Sequence, residues 1–202
     1  MDQATTDFYR HYAEHGAIQA EATQSAISTY FEQAFKAGAK VLDVGAGSGR
    51  DLAVLCKRGF DAYGIEPNDS MRTIALQNHP QLAARLQPGS LPLSGAPFGG
   101  QFDGVLCSAV MMHVPREQVP NACKSIRSVL KPNGRVLVSL PSMRADLLDG
   151  DRDQDGRFFQ NHSPAFLASV LKPLGFSQIS LDQQAVSLHA GTMWSICLFE
   201  LG

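Results

Sequence analysis

Twelve residues constrain this chain more than any others: Lys40-Val41-Leu42-Asp43-Val44-Gly45-Ala46-Gly47-Ser48-Gly49-Arg50-Asp51. An apolar run with β-branched residues ends in an acid, three glycines fall within five positions, and helical spacing begins after Ser48. That pattern predicts a buried strand, a tight turn and a helix start. Glycine suits the turn because it reaches positive φ and, lacking Cβ, lets a ligand lie against backbone N–H groups. The first amides of the new helix have no intrahelical partner and point at whatever occupies the turn.

Such a turn is shared by several nucleotide-binding folds, and two acids narrow it. A second strand, Asp61-Ala62-Tyr63-Gly64-Ile65, ends in Glu66, twenty-one residues after Gly45. In a doubly wound α/β fold that is where a carboxylate takes the hydroxyls of an adenosine ribose. Asp43 ends the first strand, two residues before Gly45. A pyrophosphate has no use for that negative charge, whereas a ligand with an amino group and a sulfonium is attracted by it.

Here the chain resembles the class I S-adenosylmethionine-dependent methyltransferases. The first motif is Val41 to Gly49, and Gly64-Ile65-Glu66-Pro67 is the acidic end of the second strand. Phe102 to Val114 looks like the fourth-strand motif, and Leu130 to Val138 looks like the helix-to-fifth-strand signature. The resemblance covers roughly Ala39 to Pro141. It implies a Rossmann-like α/β fold: a doubly wound seven-stranded sheet with an antiparallel last strand and helices on both faces, in a single domain over 1–202. The implied cofactor is S-adenosylmethionine, with S-adenosylhomocysteine as product. The implied cofactor contacts are Asp43, Gly45, Ala46, Gly47, Ser48, Gly49, Glu66, Pro67, Met71, Ser90, Leu91, Ser108 and Ala109. Members of that family commonly place an acid after the third strand for the adenine amino group. This chain has Gly89-Ser90-Leu91 instead, which leaves adenine to the Ser90 hydroxyl or to backbone groups.

Composition agrees with a globular chain of one domain: 202 residues, 44% apolar and 18% charged. A net charge of −2 gives no general attraction to phosphate backbones, so a small acceptor is expected rather than nucleic acid. Cys56, Cys107, Cys123 and Cys197 are widely spaced in apolar stretches, with neither zinc-ligand nor disulfide spacing, and free buried thiols are expected. With no leader pattern and no run of membrane-spanning length, a cytoplasmic protein without a membrane partner is expected. Oligomeric state is left open.

Residues 1–36 read as a helical cover broken near His15-Gly16, carrying Tyr9 and Tyr12, which either folds over the cofactor or simply packs on the sheet. Met71, at helical spacing, is either a cofactor contact or core. Ligands in open α/β sheets lie beyond the carboxyl ends of the strands, which puts Ser108, Ala109, Met112 and His113 near the reacting groups. His113 is the candidate catalytic base, its imidazole titrating near neutrality, unless its role is positional. The segment 146–162 reads as an acceptor-side loop or lid. Its alternating Asp149, Asp151, Asp153 and Asp155 lack the glycine and closing glutamate of a calcium loop, and no metal is expected. Arg157, Phe158, Met112 and Tyr12 are the candidate substrate contacts, and Arg157 suggests an anionic or partly aromatic acceptor. Ser163-Pro164 opens a last helix. Two alternating stretches, from Phe176 and from Thr192, form a closing antiparallel pair joined through His189-Ala190-Gly191.

The expected function is methyl transfer by in-line displacement to a small-molecule acceptor, at oxygen, nitrogen or carbon. One alternative is a cofactor-binding regulatory or partner subunit without catalysis. Another is a nicotinamide-dependent reductase. Asp43 opposes the latter, as does the lack of a Tyr-x-x-x-Lys pair, since the fourth residues after the tyrosines are Ala13, Gly16, Ala34 and Pro67. The fourth-strand motif also lacks the Asn or Asp followed by two prolines and an aromatic that some relatives use on nucleobase or glutamine amines.

Overall fold

The structure, a computed structural model, describes residues 2–15, 25–143, 150–186 and 193–202. Helix α1 (Gln3–His15) leads the chain, and a 3-10 turn (Ala26–Tyr30) runs into the short α2 (Phe31–Ala34). Strands and helices then alternate as β1 (Lys40–Val44), α3 (Arg50–Lys57), β2 (Asp61–Ile65), α4 (Asp69–Asn78), β3 (Leu86–Gln87) and β4 (Phe102–Cys107). The rest is α5 (Val119–Val129), β5 (Leu130–Met143), α6 (Pro164–Leu171), β6 (Phe176–Val186) and β7 (Met193–Leu201). The seven strands form one sheet in the order β3-β2-β1-β4-β5-β7-β6. The first five run parallel, and β7 lies antiparallel between β5 and β6.

Alternation along the strands sends side chains to two cores. Leu42 and Val44 of β1 face α5 and α6, joining Ile126, Val129, Leu167 and Leu171. Val41 faces the other side, with Phe31, Leu52 and Leu55. Asp43 shares the parity of Val41, next to the end of the strand, where the glycine turn begins. Gly104 of β4 admits Phe35, whose ring lies 2.3 Å from where a Cβ would stand.

The sequence boundaries hold with instructive exceptions. The third strand is two residues long, because only Leu86 and Gln87 find partners on β2. Residues Lys131-Pro132-Asn133-Gly134, within the stretch that resembles the helix-to-fifth-strand signature, form an irregularity inside β5, with Asn133 left-handed between Leu130, paired to Phe102, and Arg135, paired to Gly104. β5 runs on through Pro141 against β7. The last β4 partner is Val138, so beyond it one side of β5 is free and a residue without N–H is tolerated. Asn68 is the N-cap of α4 and Ser163 that of α6, each side chain accepting from the backbone of its first turn. The break at His15-Gly16, the joint at His189-Ala190-Gly191 and residues 146–149 fall wholly or partly outside the described residues. All four cysteines are free. Among the described residues no helix is long and apolar enough to cross a membrane.

Candidate cofactor and acceptor site

The site lies beyond the carboxyl ends of β1, β2 and β4. Gly45 and Ala46 both donate their N–H to the carbonyl of Ile65, at 2.8 and 3.0 Å, so the glycine turn folds across the end of β2. Gly45 has φ 70°, and a Cβ there would stand 2.6 Å from Val110 Cγ2, in the segment leaving β4. Glycine is therefore required twice over, by conformation and by space. Gly49, also left-handed, stands immediately before α3. Ala46 is buried, Ser48 is half-buried, and Met71 is buried with its methyl 3.6 Å from where a Gly47 Cβ would be. Met71 is core, and it lies against the turn at Gly47.

Two acids converge here. Asp43 is 1% exposed, and neither carboxylate oxygen has a hydrogen-bond partner among the described residues. Burial, followed by the charges of Asp51 and Glu66, holds its carboxyl well above the usual range, while Arg50 pulls the other way. Glu66 is 7% exposed and half satisfied: Oε1 accepts from Asn68 N at 2.8 Å and Oε2 from Gly47 N at 3.0 Å. Burial raises it too, and the two amides draw it back. Each Glu66 oxygen keeps a lone pair for a further donor. An unpartnered buried carboxylate is costly unless a donor or cation meets it, so a ligand with a cationic group and vicinal hydroxyls fits these residues.

Pro67 is half-buried and leads into Asn68. Ser90 lines a cavity of about 240 Å³ with Ile65, Gln87, Gly89, Leu93 and Phe98. Leu91, by contrast, turns its side chain onto the main core.

On the acceptor side, Ser108 and Ala109 follow β4, Ala109 at φ 56° with its N–H held by Ser139 Oγ at 2.8 Å. Met112 is 4% exposed, and its carbonyl accepts from Gln160 N at 2.8 Å, so it anchors the later segment. His113 does not present a free ring nitrogen. Its Nδ1 lies 2.7 Å from the Phe158 carbonyl and its Nε2 2.9 Å from the Tyr9 hydroxyl. A carbonyl only accepts, so Nδ1 carries the proton, and in the neutral ring Nε2 accepts from Tyr9. Burial lowers the imidazole to about 4, the Phe158 carbonyl pulling it up and the Arg157 charge pushing it further down. Both ring nitrogens of the candidate base are thus engaged within the fold, an arrangement that favours the positional alternative for His113.

Arg157 is likewise already engaged. Its Nε donates to Asp153 Oδ2 at 2.6 Å, and its guanidinium lies 4.2 Å over the Phe8 ring. That pairing removes the motive for an anionic acceptor. The Phe158 N–H donates to Thr5 Oγ1 at 2.7 Å, and Tyr12 stacks on Phe8 with centroids 6.0 Å apart. Helix α1 and the 150–160 segment thereby close together over His113.

A family model described as a methyltransferase domain matches residues 9–181. The chain belongs to that family. Its sequence is 32% identical over 106 residues to the ubiquinone biosynthesis O-methyltransferase of Acinetobacter baylyi, covering 51% of this chain and 44% of that protein. The chain thus spans less than half the length of that relative. Among solved structures, the Burkholderia thailandensis 1,6-didemethyltoxoflavin-N1-methyltransferase, with 1,6-didemethyltoxoflavin and S-adenosylhomocysteine bound, superposes with a TM-score of 0.73 at 20% identity, over 98% of this chain and 86% of that one. The TehB-like SAM-dependent methyltransferase of Corynebacterium glutamicum gives 0.73 at 19% identity, over 97% and 99%. At such identities the superpositions establish the Rossmann-like methyltransferase fold, with its antiparallel last strand.

Two residues of this methyltransferase were not among the site residues expected from the sequence. Asn68 joins three elements: its N–H holds Glu66, its side-chain oxygen caps α4, and its Nδ2 donates to the Thr6 carbonyl of α1 at 2.9 Å. Tyr9 carries the contact with His113. Helical spacing held a signal for it, since Thr5, Tyr9 and Tyr12 fall on one face at i, i+4 and i+7.

Proposed function

We propose that this methyltransferase moves a methyl group from S-adenosylmethionine to a small-molecule acceptor. The observation that carries the reading is Asp43, a buried carboxylate with no hydrogen-bond partner among the described residues, facing the glycine turn beside a half-satisfied Glu66. Glu66 would take the ribose hydroxyls, Asp43 the cationic amino-acid end, and Gly45, Gly47 and Gly49 allow close approach of the backbone. Pro67, Met71, Ser90 and the Leu91 backbone would border the adenosine, and Ala46, Ser48, Ser108 and Ala109 the remainder. A nicotinamide dinucleotide in the same bend would set its pyrophosphate among Asp43, Asp51 and Glu66, which repel it.

The bound cofactor supplies an electrophilic methyl on a good leaving group. What is left to the protein is orientation and exclusion of water. The closure of α1 on the 150–160 segment serves both, with Met112, Tyr12 and Phe158 shaping the acceptor side and Arg157 stiffening it. The related proteins are named for O- and for N1-methylation, so they leave the accepting atom open. The modest negative charge favours a small metabolite over nucleic acid.

Calorimetry tests the assignment. Glu66→Ala is expected to weaken S-adenosylhomocysteine binding by about 2–4 kcal/mol through loss of charge-assisted hydrogen bonds. Unchanged affinity rejects the ribose role, and no binding by the wild type rejects the whole reading.

A further inference from the structure

We propose that Asn68 is a positioning residue that couples occupancy of the cofactor site to the docking of helix α1, so that bound cofactor tightens the helix against which the acceptor side closes. This rests on the methyltransferase reading above and on the ribose role of Glu66, and adds to them a residue that links the two sides of the site.

Asn68 is 3% exposed, and its hydrogen-bonding groups are shared among three elements. Its backbone N–H donates to Glu66 Oε1 at 2.8 Å. Its side-chain oxygen accepts from Ser70 N and Met71 N, at 3.0 and 3.1 Å, and so caps α4. Two backbone amides are met only by the oxygen of the carboxamide, which turns the nitrogen toward the Thr6 carbonyl of α1, 2.9 Å away. Capping alone does not explain the residue, since asparagine, aspartate and serine cap about equally well. Aspartate has no hydrogen for Thr6, and serine spends its one short arm on the cap. Asparagine serves all three partners at once.

Helix α1 is attached in a way that makes so small a bond count. Among its described side chains only Thr5 and Ala13 are buried, and none joins either core. Asn68 holds it on the cofactor side. On the other side Thr5 Oγ1 accepts from Phe158 N at 2.7 Å, the Tyr9 hydroxyl lies 2.9 Å from His113, and the Arg157 guanidinium lies over Phe8. An element with no share of the core opens at low free-energy cost. Its docking therefore answers to the few contacts that hold it.

Coupling follows from the chemistry of Glu66. Without a ligand, burial draws its carboxyl toward the protonated form, a poorer acceptor for the Asn68 amide. Ribose hydroxyls donate to the ionised form and favour it. That strengthens the bond from Asn68 N–H, fixes the residue and keeps its Nδ2 on Thr6. Linkage makes the effect reciprocal: a docked α1 raises cofactor affinity by the factor with which cofactor steadies α1. The acceptor side is thus completed after the cofactor is in place.

Hydrogen exchange on the full chain, with S-adenosylhomocysteine as probe, tests it. In the wild type, saturating ligand should slow exchange of the α1 amides about 5-fold or more, from the lower end of couplings between sites upward. Asn68→Ser, which keeps a capping oxygen and the N–H to Glu66, should lose that slowing and weaken ligand binding by a matching factor. Unchanged exchange of the α4 amides in the ligand-free variant shows that the cap is intact. Asn68→Asp, with a full cap and no hydrogen for Thr6, should lose the slowing too, and it decides the matter if serine loosens α4. Wild-type α1 amides indifferent to bound ligand overturn the proposal. So does a slowing that survives in Asn68→Asp, or a ligand affinity left unchanged in Asn68→Ser. Wild-type protein that fails to bind S-adenosylhomocysteine, or Glu66→Ala that binds it as tightly as the wild type, sinks the underlying reading instead, a separate result.

Discussion

Asp43 and Asp153 are buried to nearly the same degree, 1% and 2% exposed, and their surroundings are opposite. Asp153 accepts from Asp155 N at 3.1 Å, from Arg157 N at 3.0 Å and from Arg157 Nε at 2.6 Å. Asp43 accepts from nothing among the described residues and faces two further acids. The first carboxylate is complete within the fold, which marks it as structural: it shapes a loop and orients Arg157 against Phe8. The second is a desolvated charge that the chain tolerates at a cost, as expected for a group whose partner comes from outside. Glu66 stands between them, each oxygen holding one backbone amide with room for another donor.

The largest expected effect falls on the complete pair. Asp153→Ala leaves the mostly buried Arg157 with only the exposed Asp155, 3.9 Å away, as counter-ion and two backbone amides without an acceptor. It should lower stability by about 3 kcal/mol, the lower end for a broken buried pair because Arg157 keeps some solvent contact. Denaturant unfolding measures it, and Arg157→Met in the same background should recover part of the loss. A negligible change for Asp153→Ala would erase the contrast with Asp43.

The second effect has the opposite sign. Asp43→Asn removes an uncompensated buried charge at nearly constant shape, so the ligand-free protein should gain about 1 kcal/mol. The same variant should bind S-adenosylhomocysteine more weakly by about 2 kcal/mol, the scale of one charge-assisted hydrogen bond. Thermal unfolding with and without ligand reads both. Loss of stability in the ligand-free state would show that Asp43 is structural after all.

These acids were legible in the sequence to different extents, for physical reasons. Asp43, the three glycines and Glu66 lie on one βαβ unit, where short-range spacing dictates what meets what, and the structure puts them together as the pattern implied. Asp153 was visible only as one of several alternating acids, because its partners depend on a loop conformation that no periodicity encodes. The Tyr9–His113 contact joins residues 104 apart and the Thr5–Phe158 contact residues 153 apart. Neither separation leaves a local trace, so the sequence put a histidine on the acceptor side without showing what occupies its nitrogens. Likewise the charge of Arg157 was visible and its neutralisation was not.

The smallest expected effect is a pair of opposing pH slopes in the ligand-free protein. Asp43, raised in the fold, binds protons more tightly folded than unfolded. Between the ordinary carboxylate value near 3.9 and its raised folded value, stability therefore falls as pH rises, and Glu66 acts in the same direction. His113, lowered from 6.5 to about 4, does the reverse: the unfolded state binds the extra proton, so stability climbs from pH 4 to 6.5. The two overlap in one window and partly cancel in the wild type. Asp43→Asn should unmask the climb, and His113→Gln should unmask the fall, in melting temperatures taken at half-unit steps across pH 4–7. Saturating S-adenosylhomocysteine should flatten only the Asp43 part, since its amino group supplies the missing partner. Were the ligand instead to leave the descending limb untouched, Asp43 would have no claim on the cationic end of the cofactor, and its lack of a partner in the fold would need another cause.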